Sequence, residues 1–254
     1  MAGDAFLTLG IAAAFILGTI ALMLGGYFTA RALIGRADDG ETRDLAGSII
    51  FRVAALHGLI LALVFAQQML EYHELERETV AEADALANIY FNLERHGNAA
   101  PALQEMVRSY AESAIETEWV SLGRGDGLLG TVWLHWDAVF RGVLDLPAHT
   151  PRQASLRDAM LDDIRAISEA RDRRVTHADQ KLSVMFWTAA IAGIVLVSFA
   201  YFSFHPTRLS LILLSVFAGY TGLIMFLIYS FSNPFIAPGA LQPEALRGAL
   251  VEFG

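Results

Sequence analysis

The sequence predicts an all-α integral membrane protein, with four transmembrane helices and a helical extramembrane domain inserted between the second and the third. Three observations carry that reading. Four runs free of internal charge lie at 5–30, 53–70, 182–208 (closing on Arg208) and 209–233. A hydrocarbon core of about 30 Å needs roughly 20 mainly apolar residues as helix, and these runs supply them. They lack the polar stripe that a water-facing helix shows, and no strand-like alternation competes with them. Between the second and third runs the chain turns polar, with apolar residues at spacings of three and four.

The first run opens behind Met-Ala-Gly-Asp, which has no basic n-region, and it exceeds a signal h-region, so it reads as a retained helix. Gly10, Ala14 and Gly18, continued by Ala21 and Gly25, form a small-residue stripe, expected to let a neighbouring helix approach closely in lipid. The second run has no punctuation at its far end. Glu71, Tyr72, Leu75, Thr79, Ala83, Leu86 and Tyr90 continue it at helical spacing, with no Gly or Pro before Gly97, which predicts one helix over about 48–95.

In the insert, Leu103, Met106, Val107, Tyr110, Ala114 and Ile115 predict a further helix, as do Val132, Trp133, Trp136, Val139, Phe140 and Val143. Thr150-Pro151 reads as an N-cap followed by proline at the first helical position, opening a helix that runs on into the third span. The domain boundaries follow: 1–70 for the first two spans, 71–181 for the extramembrane domain, 182–233 for the last two spans and 234–254 for a C-terminal tail.

The 254 residues carry a formal net charge of −9, and Lys181 is the one Lys, so no basic face invites nucleic acid. Cys is absent, which excludes disulfides, thiolate metal sites and Cys nucleophiles. No cofactor, metal or enzymatic constellation is expected. His73-Glu74 lacks the second His of a zinc-protease helix, because Arg77 stands there. Residues 123–127, Gly-Arg-Gly-Asp-Gly, lack the P-loop Lys and Ser/Thr and read as a loop. His135, Trp136 and Asp137 adjoin in sequence but point about 100° apart on a helix.

Along the second span, His57, Leu61, Phe65, Gln68 and Tyr72 share one face. An ionisable group deep in lipid is costly and normally meets protein or water, so His57 either faces an aqueous pathway or hydrogen-bonds a neighbouring helix. Six carboxylates follow, Glu71, Glu74, Glu76, Glu78, Glu82 and Asp84, which are either a solvated face or a cation-attracting ring.

Residues 56–86, LHGLILALVFAQQMLEYHELERETVAEADAL, with Glu116-Thr-Glu-Trp119 and the closing Ser232-Asn233-Pro234-Phe235-Ile-Ala-Pro-Gly, resemble a group of bacterial membrane proteins of unassigned activity described as bestrophin-like. Asn233, Pro234 and Phe235 are similar to the acidic-or-Asn-Pro-Phe segment after the last membrane helix of bestrophins, which are pentameric ion channels. The resemblance implies a homo-oligomer, with a pentamer expected, that passes inorganic ions along an axis lined by the second span. Leu61 and Phe65 would form the apolar neck, His57 would lie one turn before it, and Gln67 and Gln68 would replace the polar amides beyond. The aromatic run after the bestrophin neck is only Glu71-Tyr72-His73-Glu74 here, and the acidic calcium clasp is not recognisable, so calcium gating is not implied.

Basic residues near the membrane are balanced between the two sides: Arg31, Arg36, Arg43 and Arg208, with Arg52 just inside the second span, against Arg77, Arg171, Arg173, Arg174, Lys181 and Arg247. The resemblance places the insert and both termini in the cytoplasm of a bacterial inner membrane. A non-conducting scaffold, or a sensor whose helical domain receives a ligand or partner, is the alternative.

Overall fold

A computed structural model describes residues 2–35, 40–97, 100–179 and 182–253; Arg36 and Lys181 of the charge count lie outside them. All regular structure among the described residues is helical. In chain order the helices are α1 (Ala2–Ile34), α2 (Gly40–His96), α3 (Ala100–Ser113), a π-helical turn (Ala114–Glu118), α4 (Trp119–Arg124), α5 (Gly130–Leu144) and α6 (Pro151–Asp179). Then come α7 (Val184–Ala200), a 3-10 turn (Tyr201–Ser203), α8 (Arg208–Phe231) and α9 (Glu244–Glu252).

Among the described residues, four stretches are long and apolar enough to cross a membrane, within Ala5–Ile34, Gly40–His96, Pro151–Ser203 and Arg208–Phe231, each with an 18-residue window of mean hydropathy at or above 2.1. The apolar part of the third is α7. Three boundaries differ from the sequence reading, the first being that α2 starts at Gly40, ahead of the expected start near Ser48. The helix opened by Thr150 does not run unbroken into the third span: α6 ends at Asp179, and α7 starts afresh at Val184 behind Ser183, whose side chain accepts from the Met185 N–H at 3.2 Å. The third apolar run also stops being α-helical at Ala200, well before Arg208, because residues 204–207 form a turn around Pro206. Thr207 then caps α8, accepting from the Ser210 N–H at 3.1 Å.

The chain divides into two compact units, Met1–Leu70 with Lys181–Ser232, and Glu71–Gln180 with Asn233–Gly254. In the first, α1 packs against α8 and α7. Glycine sets both crossings. A Cβ on Gly222 would lie 2.8 Å from the Phe15 carbonyl oxygen and 2.9 Å from Ile16 Cα, and one on Gly26 would lie 2.1 Å from Ser198 Oγ. Gly10, Ala14 and Gly18 of the expected stripe are exposed in the single chain, and Gly10 and Gly18 have open space beside them. The end of α1 is tied to the 201–204 segment, where Tyr27 donates to the Phe204 carbonyl at 2.9 Å and Arg31 to the carbonyls of Phe202 and Phe204.

The second unit is a helical bundle in which α3 packs on α5 and α9, and α5 on α6. The periodic residues Leu103, Val107, Tyr110, Ala114, Val132, Val139 and Val143 fill its core, with Leu86, Ile89 and Leu93 from α2. α6 begins as expected: the Gln153 N–H donates to Thr150 Oγ1 at 3.2 Å, while Gln153 Oε1 accepts from the His149 N–H at 3.0 Å.

The glycine geometry separates two substitutions. Gly222→Val should lower thermal stability of the detergent-solubilised protein by about 1–3 kcal/mol, the usual cost of overpacking, whereas Gly18→Ala should leave the unfolding midpoint unchanged.

Candidate functional site

The 57 residues of α2 make a rod of about 85 Å at 1.5 Å per residue, and both units draw on it. It holds no Pro, and no neighbour interrupts its backbone ladder. One face of the rod is covered throughout. In the first unit that face carries His57, Leu61 and Gln68, all buried, with Phe65 partly exposed at its margin; Tyr72, also partly exposed, belongs to the second unit. In the second it continues as Leu75, Thr79, Glu82, Leu86, Ile89 and Leu93, all buried. The opposite face in the apolar unit is uncovered at Leu56, Leu59, Ile60 and Leu63.

The five residues expected to line an axis are thus placed on one face, but that face turns largely into the chain's own helices. His57 is 4% exposed and lies against α7, where a Cβ on Gly193 would fall 2.1 Å from its Nδ1. Leu61 belongs to the core with Met23, Ala190 and Ile194, and the Phe65 ring meets that of Phe231 at 6.0 Å between centroids. Between α2 and α8 the same face borders a cavity of about 350 Å³ that His57, Leu61 and Phe65 help to line. His57 Nε2 is buried and has no hydrogen-bond partner among the described residues.

A second cluster, in the bundle, was not visible as a site in the sequence. Glu82 from α2, Tyr110 from α3, Glu118 from the π turn and Arg171 and Arg174 from α6 are each at most 1% exposed. Arg171 reaches Glu118 with two nitrogens, Nε to Oε1 at 3.2 Å and Nη2 to Oε2. Arg174 Nη2 donates to Glu82 Oε1 at 2.8 Å, and Tyr110 donates to the same oxygen at 2.7 Å. Indole faces flank both cations, Trp133 at 5.6 Å from Arg171 and Trp119 at 5.9 Å from Arg174. Burial pushes the Glu82 carboxyl up from its ordinary range, opposed chiefly by Arg174. Burial likewise holds the Tyr110 phenol well above its ordinary value, which keeps its proton available for Glu82.

Glu82 is therefore neither on a solvated face nor open to an axis. Glu78 is also covered, bonded to Arg173 at 2.7 Å and near His177 at 3.5 Å. Of the six carboxylates after the apolar run, Glu74, Glu76 and Asp84 are exposed and Glu71 is partly so.

The Asn233-Pro234-Phe235 segment lies in the same unit as this cluster. Asn233 Oδ1 accepts from the Phe235 N–H at 3.1 Å, and the Pro234 carbonyl accepts from the Leu241 N–H at 2.7 Å, closing a loop. Phe235 packs edge-on to Trp119 at 5.1 Å, and Trp119 donates its indole N–H to the Leu241 carbonyl at 3.1 Å. Gly123 makes room for the loop, since a Cβ there would sit 2.6 Å from Ile236. The 116–119 and 233–235 stretches, distant in sequence, thus meet at one aromatic pair.

A family model described as Bestrophin-like domain matches residues 17–246, most of the chain. The chain belongs to the bestrophin-like family. No curated protein and no solved structure matches this bestrophin-like protein. The matched region takes in α2, the whole buried charge cluster and the Asn233-Pro234-Phe235 buckle.

The remaining expectations resolve individually. The expected loop at 123–127 is shorter: Gly123 and Arg124 close α4, and residues 125–127 form the loop, in which Gly125 and Gly127 take left-handed φ of 81° and 76°. His135 contacts Ser113 Oγ and the Ser109 carbonyl, Trp136 donates to the Ile164 carbonyl, and Asp137 pairs with Arg141, so the three neighbours go separate ways.

Removing one partner of a buried ion pair strands the other in a medium that does not solvate it. Glu82→Ala should cost about 3–5 kcal/mol of stability, read as a lowered unfolding midpoint, whereas the apolar double replacement Glu82→Leu, Arg174→Met should recover most of that loss.

Proposed function

We propose that this bestrophin-like protein is a homo-oligomeric ion channel, a pentamer, of a bacterial inner membrane, in which α2 is the helix nearest the axis. The observation that supports this reading best is α2 itself, within the family match: an unbroken helix, free of charged residues over 53–70 and carrying exposed carboxylates soon after. A conducting path needs both, because an apolar constriction gates by dewetting while polar rings beyond it attract ions. In this reading Phe65 and Tyr72, at the open margin of the α2 stripe, reach the axis first, with Leu61, His57 and Gln68 behind them. The exposed stripe of Gly10, Ala14 and Gly18 then serves contact with a neighbouring subunit. Glu71, Glu74, Glu76 and Asp84, repeated in each copy, favour cations.

A second reading, a non-conducting scaffold or sensor, is favoured by one observation: His57, Leu61 and Gln68 are covered within the single chain. Leu61→Ala with Phe65→Ala separates the two. A widened neck should raise ion flux in proteoliposomes while the particle elutes as before, and the reversal potential in a KCl gradient should move toward that of K⁺. If these side chains serve only as core, truncation removes roughly 2–5 kcal/mol per residue, so assembly fails and no flux appears. A well-assembled double variant whose flux equals that of empty liposomes removes the neck assignment.

The second unit and both termini are proposed to lie outside the bilayer in the cytoplasm. The chain has no Cys, so Asp126→Cys on the exposed 125–127 loop provides a single label site. It should stay unlabelled by a membrane-impermeant maleimide in intact cells and react after permeabilisation. Labelling of intact cells reverses the orientation.

A further inference from the structure

The cavity between α2 and α8 has features that neither lipid contact nor an ion path requires. Its α2 wall includes three small residues, Ala54, Gly58 and Ala62, beside His57, Leu61 and Phe65, and the recess measures about 350 Å³. That is at the lower end of the volumes that hold small organic ligands, about 300–1,000 Å³, and is too small for a whole phospholipid. Rings of Phe65, Phe217 and Tyr220 border the recess, offering flat apolar surfaces.

Two polar side chains face this apolar setting. Thr221 spends its hydroxyl on the Phe217 carbonyl of its own helix at 2.9 Å. His57 does not resolve in the same way: Nε2 is buried in the wall without a partner, and an unmet polar group costs more in a membrane interior than in water. The imidazole is not there by default either, because α7 makes space for it with Gly193, the residue type without the Cβ that would collide with the ring. An acyl chain could fill the recess but would leave Nε2 unmet. A neutral imidazole nitrogen either donates or accepts, according to tautomer: a carbonyl oxygen on the occupant meets the Nε2–H form, and a hydroxyl meets either form. The recess lies between two apolar spans, so the occupant arrives dissolved in the bilayer.

We infer that the α2–α8 cavity binds a membrane-dissolved ring compound bearing a carbonyl or hydroxyl oxygen, of the quinone or phenol class, with the oxygen on His57 and the ring between the aromatic walls. The recess is formed within the single chain. Its test therefore measures binding and no ion flux.

The purified protein in detergent is unfolded thermally with decylubiquinone and, separately, with decylbenzene, which carries the same tail on a ring without oxygen. Decylubiquinone should raise the midpoint by about 2–4 °C at saturation, and decylbenzene should not. His57→Phe should abolish the rise. Because that substitution sits in the packed interior and can impair folding, Ala62→Phe provides an independent arm: it fills the cavity from an exposed position on α2, should keep the unliganded midpoint, and should also abolish the rise. Equal shifts with both probes mark a crevice that takes any apolar chain and overturn the proposal. So does the absence of any shift, the result expected where a second copy of the chain fills the groove, and so does a shift that survives both substitutions.

Discussion

Everything in this fold depends on α2 remaining one helix while its surroundings change. A backbone in lipid has no water to bond with, so its N–H and C=O groups must be met within the segment, and a continuous ladder meets them without help from neighbours. Proline's absence over 57 residues permits that continuity. What varies along the rod is how its covered face is compensated. Where α2 meets α7 and α8 the stripe is apolar apart from His57 and Gln68; in the bundle it takes in Glu82, which two helices supply with an arginine and a phenol.

The buried charges of the bundle are organised by proximity in space between segments far apart in the chain. Arg171 and Arg174 are one turn apart on α6 and so project to the same side, each toward a different carboxylate. Trp119 follows Glu118 directly and joins the cluster to the C-terminal tail through Phe235 and the Leu241 carbonyl. The tail is thereby part of the bundle's interior, with Phe253 stacked on Tyr90 at 4.3 Å as a second anchor.

The spans were legible because composition alone decides them: nothing but helix can bury a long apolar run in lipid. The bundle helices were legible from their spacing, and α6 from the Thr150-Pro151-Gln153 cap. The buried ions were not, because Glu82, Arg171 and Arg174 have the composition of a solvated helix face, and only the approach of α3, the π turn and α6 converts that face into an interior. The close crossings within the chain were not legible for a related reason. Gly10, Ala14 and Gly18 form the clearer pattern, yet the close crossings within the chain use Gly26, Gly193 and Gly222, whose importance depends on which helix stands opposite. The 233–235 motif carried a signal in its Asn-Pro pair, a turn former, but nothing local pointed to Trp119 as its partner.

The π turn at Ala114–Glu118 closes with the Trp119 N–H on the Ala114 carbonyl, one residue wider than an α-helical bond. A wide turn of this kind is equivalent to one residue inserted into an α-helix, and each residue of an α-helix advances the chain by about 100°. The spacing between Tyr110 and the Glu118-Trp119 pair is thus a matter of phase. Deleting Ala114 or Ile115 would leave every hydrogen-bonding side chain of the turn in the sequence, yet it would swing Glu118 and Trp119 together away from Arg171 and Phe235. In this segment length is a constraint as strict as identity, and the chain tolerates a substitution at exposed Thr117 more readily than the loss of any one position around it.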